Sequence, residues 1–201
     1  MTEPPIIMET HGGIGHLYKA CYSQFEQGIV FEKDARKADI LALQRPTWMV
    51  YETDCVMAIR EGAGKELKIN FVDFDPYGEP WPVIDAFLES ERPKPNRLFF
   101  VVNDGLRQMV KATGGWNVNS LQEIVSEYGN GLYDIYLEVC EELLKRKAAK
   151  AGYALSRFWG YYCGYAKQMT HYLAILEKSI DVAGSPASSE NQPADRAANP
   201  F

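Results

Sequence analysis

"IIMETHGGIGHLYKACY", residues 6–22, holds a short apolar run, an acid, three glycines and a helix-like stretch. The run suits a strand buried on both faces, and the glycines ease a tight turn into a helix. Such a turn either lets the backbone approach a ligand or merely connects strand to helix. The loop by itself does not separate these readings. The chain around it does.

Outward from this stretch, the chain alternates apolar runs with amphipathic ones. Strands are expected at 6–9, 28–32, 48–52, 68–73 and 98–103, and helices at 15–27, 34–44, 54–61 and 81–91. Helix-length connections between nearly all-apolar strands imply right-handed crossovers and a parallel, doubly wound α/β sheet. Beyond residue 103 a longer helical region follows, punctuated by Gly114-Gly115 and Gly129-Asn-Gly131. Its best helix covers 132–147, with an apolar stripe at Leu132, Ile135, Tyr136, Val139, Cys140, Leu143 and Leu144. Two β-rich runs at 153–162 and 168–177 read as an antiparallel hairpin closing one edge. One domain is expected over 1–178, followed by a disordered tail at 179–201 rich in Ser, Ala, Pro, Asn and Asp.

Composition narrows the function. The length of 201 residues suits one domain with a sizeable core, and no apolar run approaches the length that spans a bilayer. The start, Met-Thr-Glu-Pro-Pro, lacks the basic and apolar regions of a secretory signal. Four dispersed cysteines and three histidines form no metal-ligand spacing, so a reduced, cytoplasmic protein without a metal is expected. A net charge of −6 argues against non-specific coating of nucleic acid, though not against a local basic patch. Oligomeric state is left open.

In a doubly wound sheet, ligands sit beyond the carboxyl ends of the strands. Acids follow four successive strands here: Glu9, Glu32, Asp54, and the pair Asp73 and Asp75. A dinucleotide loop fits poorly, because Tyr18 stands where the third glycine of that pattern belongs. A phosphate loop of the Gly-Lys-Ser/Thr type is absent.

The acid–x–x–x–Gly–x–Gly loop, Glu9 to Gly15, resembles that of class I S-adenosylmethionine-dependent methyltransferases. The resemblance runs through most of the chain and implies a Rossmann-like, mostly parallel sheet closed by a C-terminal hairpin. It implies S-adenosylmethionine as cofactor, with Glu9 near its methionine end and Gly13 and Gly15 at close backbone approach. Glu32 would bind the ribose hydroxyls and Asp54 would face the adenine, with His11 and Asp73 completing the cofactor rim. Two departures stand out: His11 replaces a common glycine, and the N-terminus is too short for the helix that often precedes strand one.

"VDFDPYGEPW", residues 72–81, carries the chemistry. Asp-Pro-x-Gly is a strong β-turn sequence. Asp75-Pro76-Tyr77 also resembles the motif of methyltransferases that modify exocyclic amines of nucleobases, and the Asp-Pro-Phe-Gly version of tRNA guanine-N2 dimethyltransferases. By that resemblance the Asp75 carboxylate and the Pro76 carbonyl would accept the N–H bonds of the target amine, and Tyr77 would stack on the base. The expected partner is therefore a nucleic acid substrate, DNA or RNA. Base-pocket candidates are Trp81, Trp116, Trp159, Tyr161, Tyr162 and Tyr165; backbone-binding candidates are Lys94, Arg97, Arg107, Lys111, Lys145, Arg146, Lys147 and Lys150. The large additional domain of the family's tRNA enzymes has no counterpart in the chain. A small-molecule or protein methyltransferase, and a binding protein with a vestigial cleft, remain as alternatives.

Overall fold

The expected strands form, in a computed structural model describing residues 4–179. They are β1 (Ile7–Glu9), β2 (Gly28–Glu32), β3 (Met49–Glu52), β4 (Phe71–Phe74), β5 (Arg97–Asp104), β6 (Tyr153–Cys163) and β7 (Met169–Lys178). One sheet contains all seven in the order β3-β2-β1-β4-β5-β7-β6. The first five strands run parallel, and β7 pairs antiparallel with both β5 and β6. The sheet is Rossmann-like and doubly wound, its order reversing between β1 and β4. That switch point places the loops after both strands side by side.

Helices α1 (Ala35–Gln44), α2 (Cys55–Arg60) and α3 (Trp81–Glu89) connect the parallel strands. After β5 come α4 (Leu106–Thr113), α5 (Gln122–Tyr128) and α6 (Tyr136–Lys150). The main core lies between the sheet and α2, α3 and α6, around Phe74, Trp81, Phe87, Phe100, Leu144 and Leu176. On the opposite face a smaller cluster of Ile7, Tyr18, Tyr22, Val30, Leu41 and Trp48 packs β1 and β2 against α1.

Several boundaries differ from expectation, three of them at their starts or in their helix type. Instead of a helix over 15–27, the segment ends in a π-helical turn, Tyr18–Tyr22, whose Tyr18 carbonyl accepts from Ser23 N–H at 2.8 Å. The wider turn keeps both tyrosines buried: Tyr18 meets the edge of Trp48, and Tyr22 that of Phe71. Strand β4 begins at Phe71 rather than 68, because the Asn70 side chain accepts from Ile6 N–H and donates to the Pro4 carbonyl, as a strand backbone would. The long helix begins at Tyr136 rather than 132. The expected tail falls, beyond residue 179, outside the described residues.

Candidate active site

The chain leaving β1 is tied down twice. Thr10 donates its backbone N–H and its hydroxyl to the Asp73 carbonyl, each at 3.0 Å, fixing the loop to β4. Gly12 N–H donates to the Phe31 carbonyl at 2.9 Å, fixing it to β2. The three glycines then divide the work. A Cβ on Gly12 would lie 2.5 Å from Val30 Cγ2 and 2.6 Å from Leu41 Cδ1, so this glycine serves close packing. Gly15, at φ +79°, would press a Cβ against Gln44 Oε1. Gly13, at φ +54°, has no heavy atom within 4 Å of its Cβ position. It is the glycine that faces open space.

Glu32 joins this loop to the second strand. Its Oε2 accepts from Gly13 N–H at 2.9 Å and its Oε1 from Asp34 N–H at 3.0 Å. Asp54 follows β3 and caps α2, accepting from Met57 N–H at 3.0 Å. It also pairs with Lys33, whose hydrogen bond holds the Asp54 carboxyl below its ordinary pKa.

His11 lies among the rim acids. Its Nδ1 is 2.9 Å from Thr10 Oγ1, and its Nε2 is 3.7 Å from Cys55 Sγ. Because the Thr10 hydroxyl proton goes to the Asp73 carbonyl, that oxygen accepts from Nδ1–H, which leaves Nε2 as the imidazole's acceptor. Burial lowers the His11 pKa, against the opposing fields of Asp75, Glu32 and Asp54. Carboxylates that end or follow β2, β3 and β4 thus act electrostatically on the histidine after β1.

Glu9 and Asp73 stand elsewhere. Glu9 is 2% exposed and forms a buried ion pair with Arg45, which is 1% exposed and lies over the rings of Tyr18 and Trp48. Burial raises the Glu9 pKa, with Arg45 opposing. The Asp73 carboxylate accepts from the Tyr22 hydroxyl at 2.7 Å. Burial pushes its pKa up to about 7; the Tyr22 bond opposes, and Glu9 and Asp75 add to the rise. Both carboxylates belong to the layer beneath the loop.

After β4 the chain makes a tight three-residue turn, with Gly78 N–H donating to the Pro76 carbonyl at 2.9 Å, where a four-residue turn is expected from the sequence. The Gly78 carbonyl in turn accepts from Gly105 N–H at 2.9 Å, and a Cβ on Gly105 would lie 3.1 Å from Gly78 Cα. This staples the turn to the residue before α4 and leaves Tyr77 wholly exposed. Asp75 Oδ1 accepts from Asn103 Nδ2 at the end of β5. Asn103, Arg45 and Tyr22 hold Asp75, Glu9 and Asp73 in place, contacts that the sequence does not announce. Asn103 alone leaves a signal, as a polar residue at the rim end of an apolar strand.

Most of the basic candidates are internally committed. Arg97 pairs with Glu177, Arg146 with Glu127 and Glu142, Lys145 with Glu142, and Lys147 with Asp85. Lys94 donates to the Ala151 carbonyl, and Arg107 is buried between the rings of Tyr133 and Tyr162. Among the aromatic candidates Trp81 is core, Tyr162 is half-buried, and Trp116, Trp159, Tyr161 and Tyr165 are exposed. Among the described residues no group of three or more His, Cys, Asp or Glu is arranged to hold a metal, and no helix is long and apolar enough to cross a membrane.

No protein-family model and no curated protein matches the sequence. Solved structures do match. TYW2 of M. jannaschii in complex with AdoMet is 15% identical, covering 88% of this chain and 70% of that one, with a TM-score of 0.54. A "putative RNA methyltransferase" from Pyrococcus horikoshii is 12% identical over 89% and 77%, TM-score 0.51. The magnesium protoporphyrin IX methyltransferase of Synechocystis PCC 6803, with bound SAH, is 10% identical over 88% and 74%, TM-score 0.51. This is a fold that methyltransferases use. At such identities the likeness establishes architecture, and function has to come from the residues.

Proposed function

We propose that this chain, through a catalytic domain spanning 1–178, is an S-adenosylmethionine-dependent methyltransferase acting on an exocyclic amine of a nucleobase in RNA or DNA. The observation that carries the reading is the Glu32–Gly13 bond, with open space where a Gly13 side chain would be. Each Glu32 oxygen spends one lone pair on a backbone N–H and keeps another for a hydroxyl. The site fits a ribose-bearing ligand lying against a glycine backbone. Two similar structures hold AdoMet or SAH, which supports the same cofactor here.

Within this reading the residues take distinct parts. Gly13 and Glu32 receive the ribose, while His11 and Asp54 line the same rim. Gly15 shapes the loop. Glu9 and Asp73 act from below: Glu9 holds Arg45 under the loop, and Asp73 anchors Thr10. When bound, the cofactor supplies an electrophilic methyl group.

An exocyclic amine is a weak nucleophile because its lone pair is conjugated into the ring. Asp75, with Oδ1 held by Asn103, offers Oδ2 to one N–H bond of the amine. The Pro76 carbonyl spends one lone pair on Gly78 and offers the other to the second N–H. Together they orient the nitrogen and stabilise the positive charge it gains. Tyr77, wholly exposed, is free to stack on the base.

A small-molecule acceptor is the second reading. It is favoured by the net charge of −6 and by the internal ion pairs that occupy most of the basic candidates.

Calorimetric titration with S-adenosylmethionine, combined with methyl transfer to total RNA and heat-denatured DNA, tests the proposal. Asp75→Ala should keep cofactor affinity and lose about a hundredfold in transfer, about 2.7 kcal/mol of transition-state stabilisation. Asp75→Asn, which retains an accepting oxygen, should keep more activity than the alanine variant. Transfer that merely follows the folded fraction across both variants would remove Asp75 from the chemistry.

A further inference from the structure

Strands β5, β7 and β6 present one face to helices; on the other, the bare face, the side chains join neither hydrophobic cluster of the described residues. Register aligns the bare face into rows: Phe99–Ile175–Arg157, Val101–Leu173–Trp159 and Asn103–His171–Tyr161. Trp159 is 53% and Tyr161 62% exposed, although both project from a sheet rather than a loop. The Tyr161 and His171 rings lie nearly parallel, with centroids 5.5 Å apart and an interplanar angle of 13°.

The third row runs directly into the candidate active site. His171 is the register partner of Asn103, and Asn103 holds Asp75. At the usual spacing of adjacent strands, Tyr161 stands about 10 Å from Asn103. The charged side chains that project from this face are Arg157, not ion-paired among the described residues; the Arg97–Glu177 pair at the far end; and, beyond Asn103, Asp75 itself. Apart from Asp75 in the active site, the free charge is positive. Flat rings, an imidazole, an amide and an unpaired guanidinium are groups that bind unpaired bases and their phosphates.

We propose that the bare face of β5–β7–β6 binds single-stranded RNA, with bases flanking the target stacking on Trp159 and Tyr161. This rests on the reading of Asp75 as the residue that receives the target amine. Continuity through Asn103 sets the direction: the strand enters from the hairpin edge and delivers one base to the turn after β4. A duplex cannot use the surface, because its bases are already stacked.

The test measures binding of a fluorescein-labelled single-stranded RNA of about twelve nucleotides. The full chain is compared with Trp159→Ala, Tyr161→Ala, Trp159→Phe and Tyr161→Phe by anisotropy, with melting temperature as a folding control. Each alanine variant should bind roughly tenfold more weakly, and the phenylalanine variants should stay near wild type, as stacking requires. S-adenosylmethionine affinity should be unchanged in all four. No RNA binding by the wild type, or equal binding by the alanine variants, overturns the proposal. So does equal affinity for the DNA oligonucleotide of the same sequence or for the RNA duplex. Sedimentation showing dimers that the alanine variants dissociate, with RNA affinity unmoved, would assign the face to a second copy of this chain and likewise overturn it. Ring-dependent RNA binding without S-adenosylmethionine binding would keep the RNA-binding face and bring down the methyltransferase reading, and with it the delivery of a base to Asp75.

Discussion

The two faces of β5 share one backbone and have opposite fates. Leu98, Phe100, Val102 and Asp104 point into the core, all buried; Phe99, Val101 and Asn103 point the other way and are half-buried. Across the register the contrast continues, with Tyr172, Ala174 and Leu176 buried and His171, Leu173 and Ile175 partly open. Helix α6 presses so closely on the covered side that a Cβ on Gly160 would come 2.3 Å from Leu137 Cδ2. Period-two alternation thus assigns stability to one set of side chains and leaves its neighbours available for recognition.

The contrast is tested first where burial is complete. Phe100 packs edge-on against Phe74 and Phe87, and is wholly buried. Phe100→Ala should cost about 3–5 kcal/mol of stability, and Phe99→Ala, one residue away, about 1 kcal/mol. Denaturant unfolding of the two variants measures both. Equal losses would mean that the open face is covered after all, and would break the comparison.

How much of this was legible in the sequence follows from the same geometry. Runs such as "FVDF" and "RLFFVV" announce strands, and the glycine link after Cys163 announces the hairpin, because these signals are local. Which face a helix covers is not local. Glu9 shares a strand face with Ile7, but only the packing of Arg45 over Tyr18 and Trp48 shows that this face is closed at Glu9. The π-helical turn escaped for a similar reason. Its register is set by Tyr22 reaching Asp73 on a strand 51 residues away. Glu32 and Asp75 could be singled out from sequence because one ends and the other directly follows an apolar strand, and Gly13 because it stands in the glycine run four residues beyond one.

The covered face also contains a charge. Asp104 is fully buried and accepts from Leu106 N–H at 2.8 Å, from the Tyr136 hydroxyl at 3.0 Å and from Cys140 Sγ at 3.7 Å. Burial pushes its pKa up to about 7, those hydrogen bonds opposing. Since this lies above the ordinary aspartate value of 3.8, the folded chain holds the proton to higher pH than the unfolded chain does. The stabilisation is complete below about pH 4 and is lost as pH rises through about 7, by at most about 1.4 kcal/mol per pH unit. Asp73 shares the direction and the window, so the wild type should lose stability between pH 4 and pH 8 with both acids contributing. Asp104→Asn should flatten that profile in part, leaving the Asp73 share. Parallel melting-temperature profiles for the two proteins would show that Asp104 is already ionised throughout.

The smallest expected effect on stability restates the comparison within the glycine loop. Gly12 is the covered position, with Val30 and Leu41 closer than a Cβ tolerates, and Gly13 is the open one. Gly12→Ala should therefore destabilise the fold by forcing β2 and α1 to shift. Gly13→Ala meets no neighbour and pays only for a left-handed backbone at φ +54°, about 1 kcal/mol. If the open space beside Gly13 receives a ligand, the two variants should separate on a second axis. Gly13→Ala should lose S-adenosylmethionine affinity by more than its small stability change explains, because the new methyl occupies the approach to Glu32. Gly12→Ala should bind in proportion to its folded fraction. Calorimetry and thermal unfolding on the same preparations decide it: if Gly13→Ala binds like wild type, Gly13 only turns the chain, and the ligand reading of the loop fails where it is most exposed.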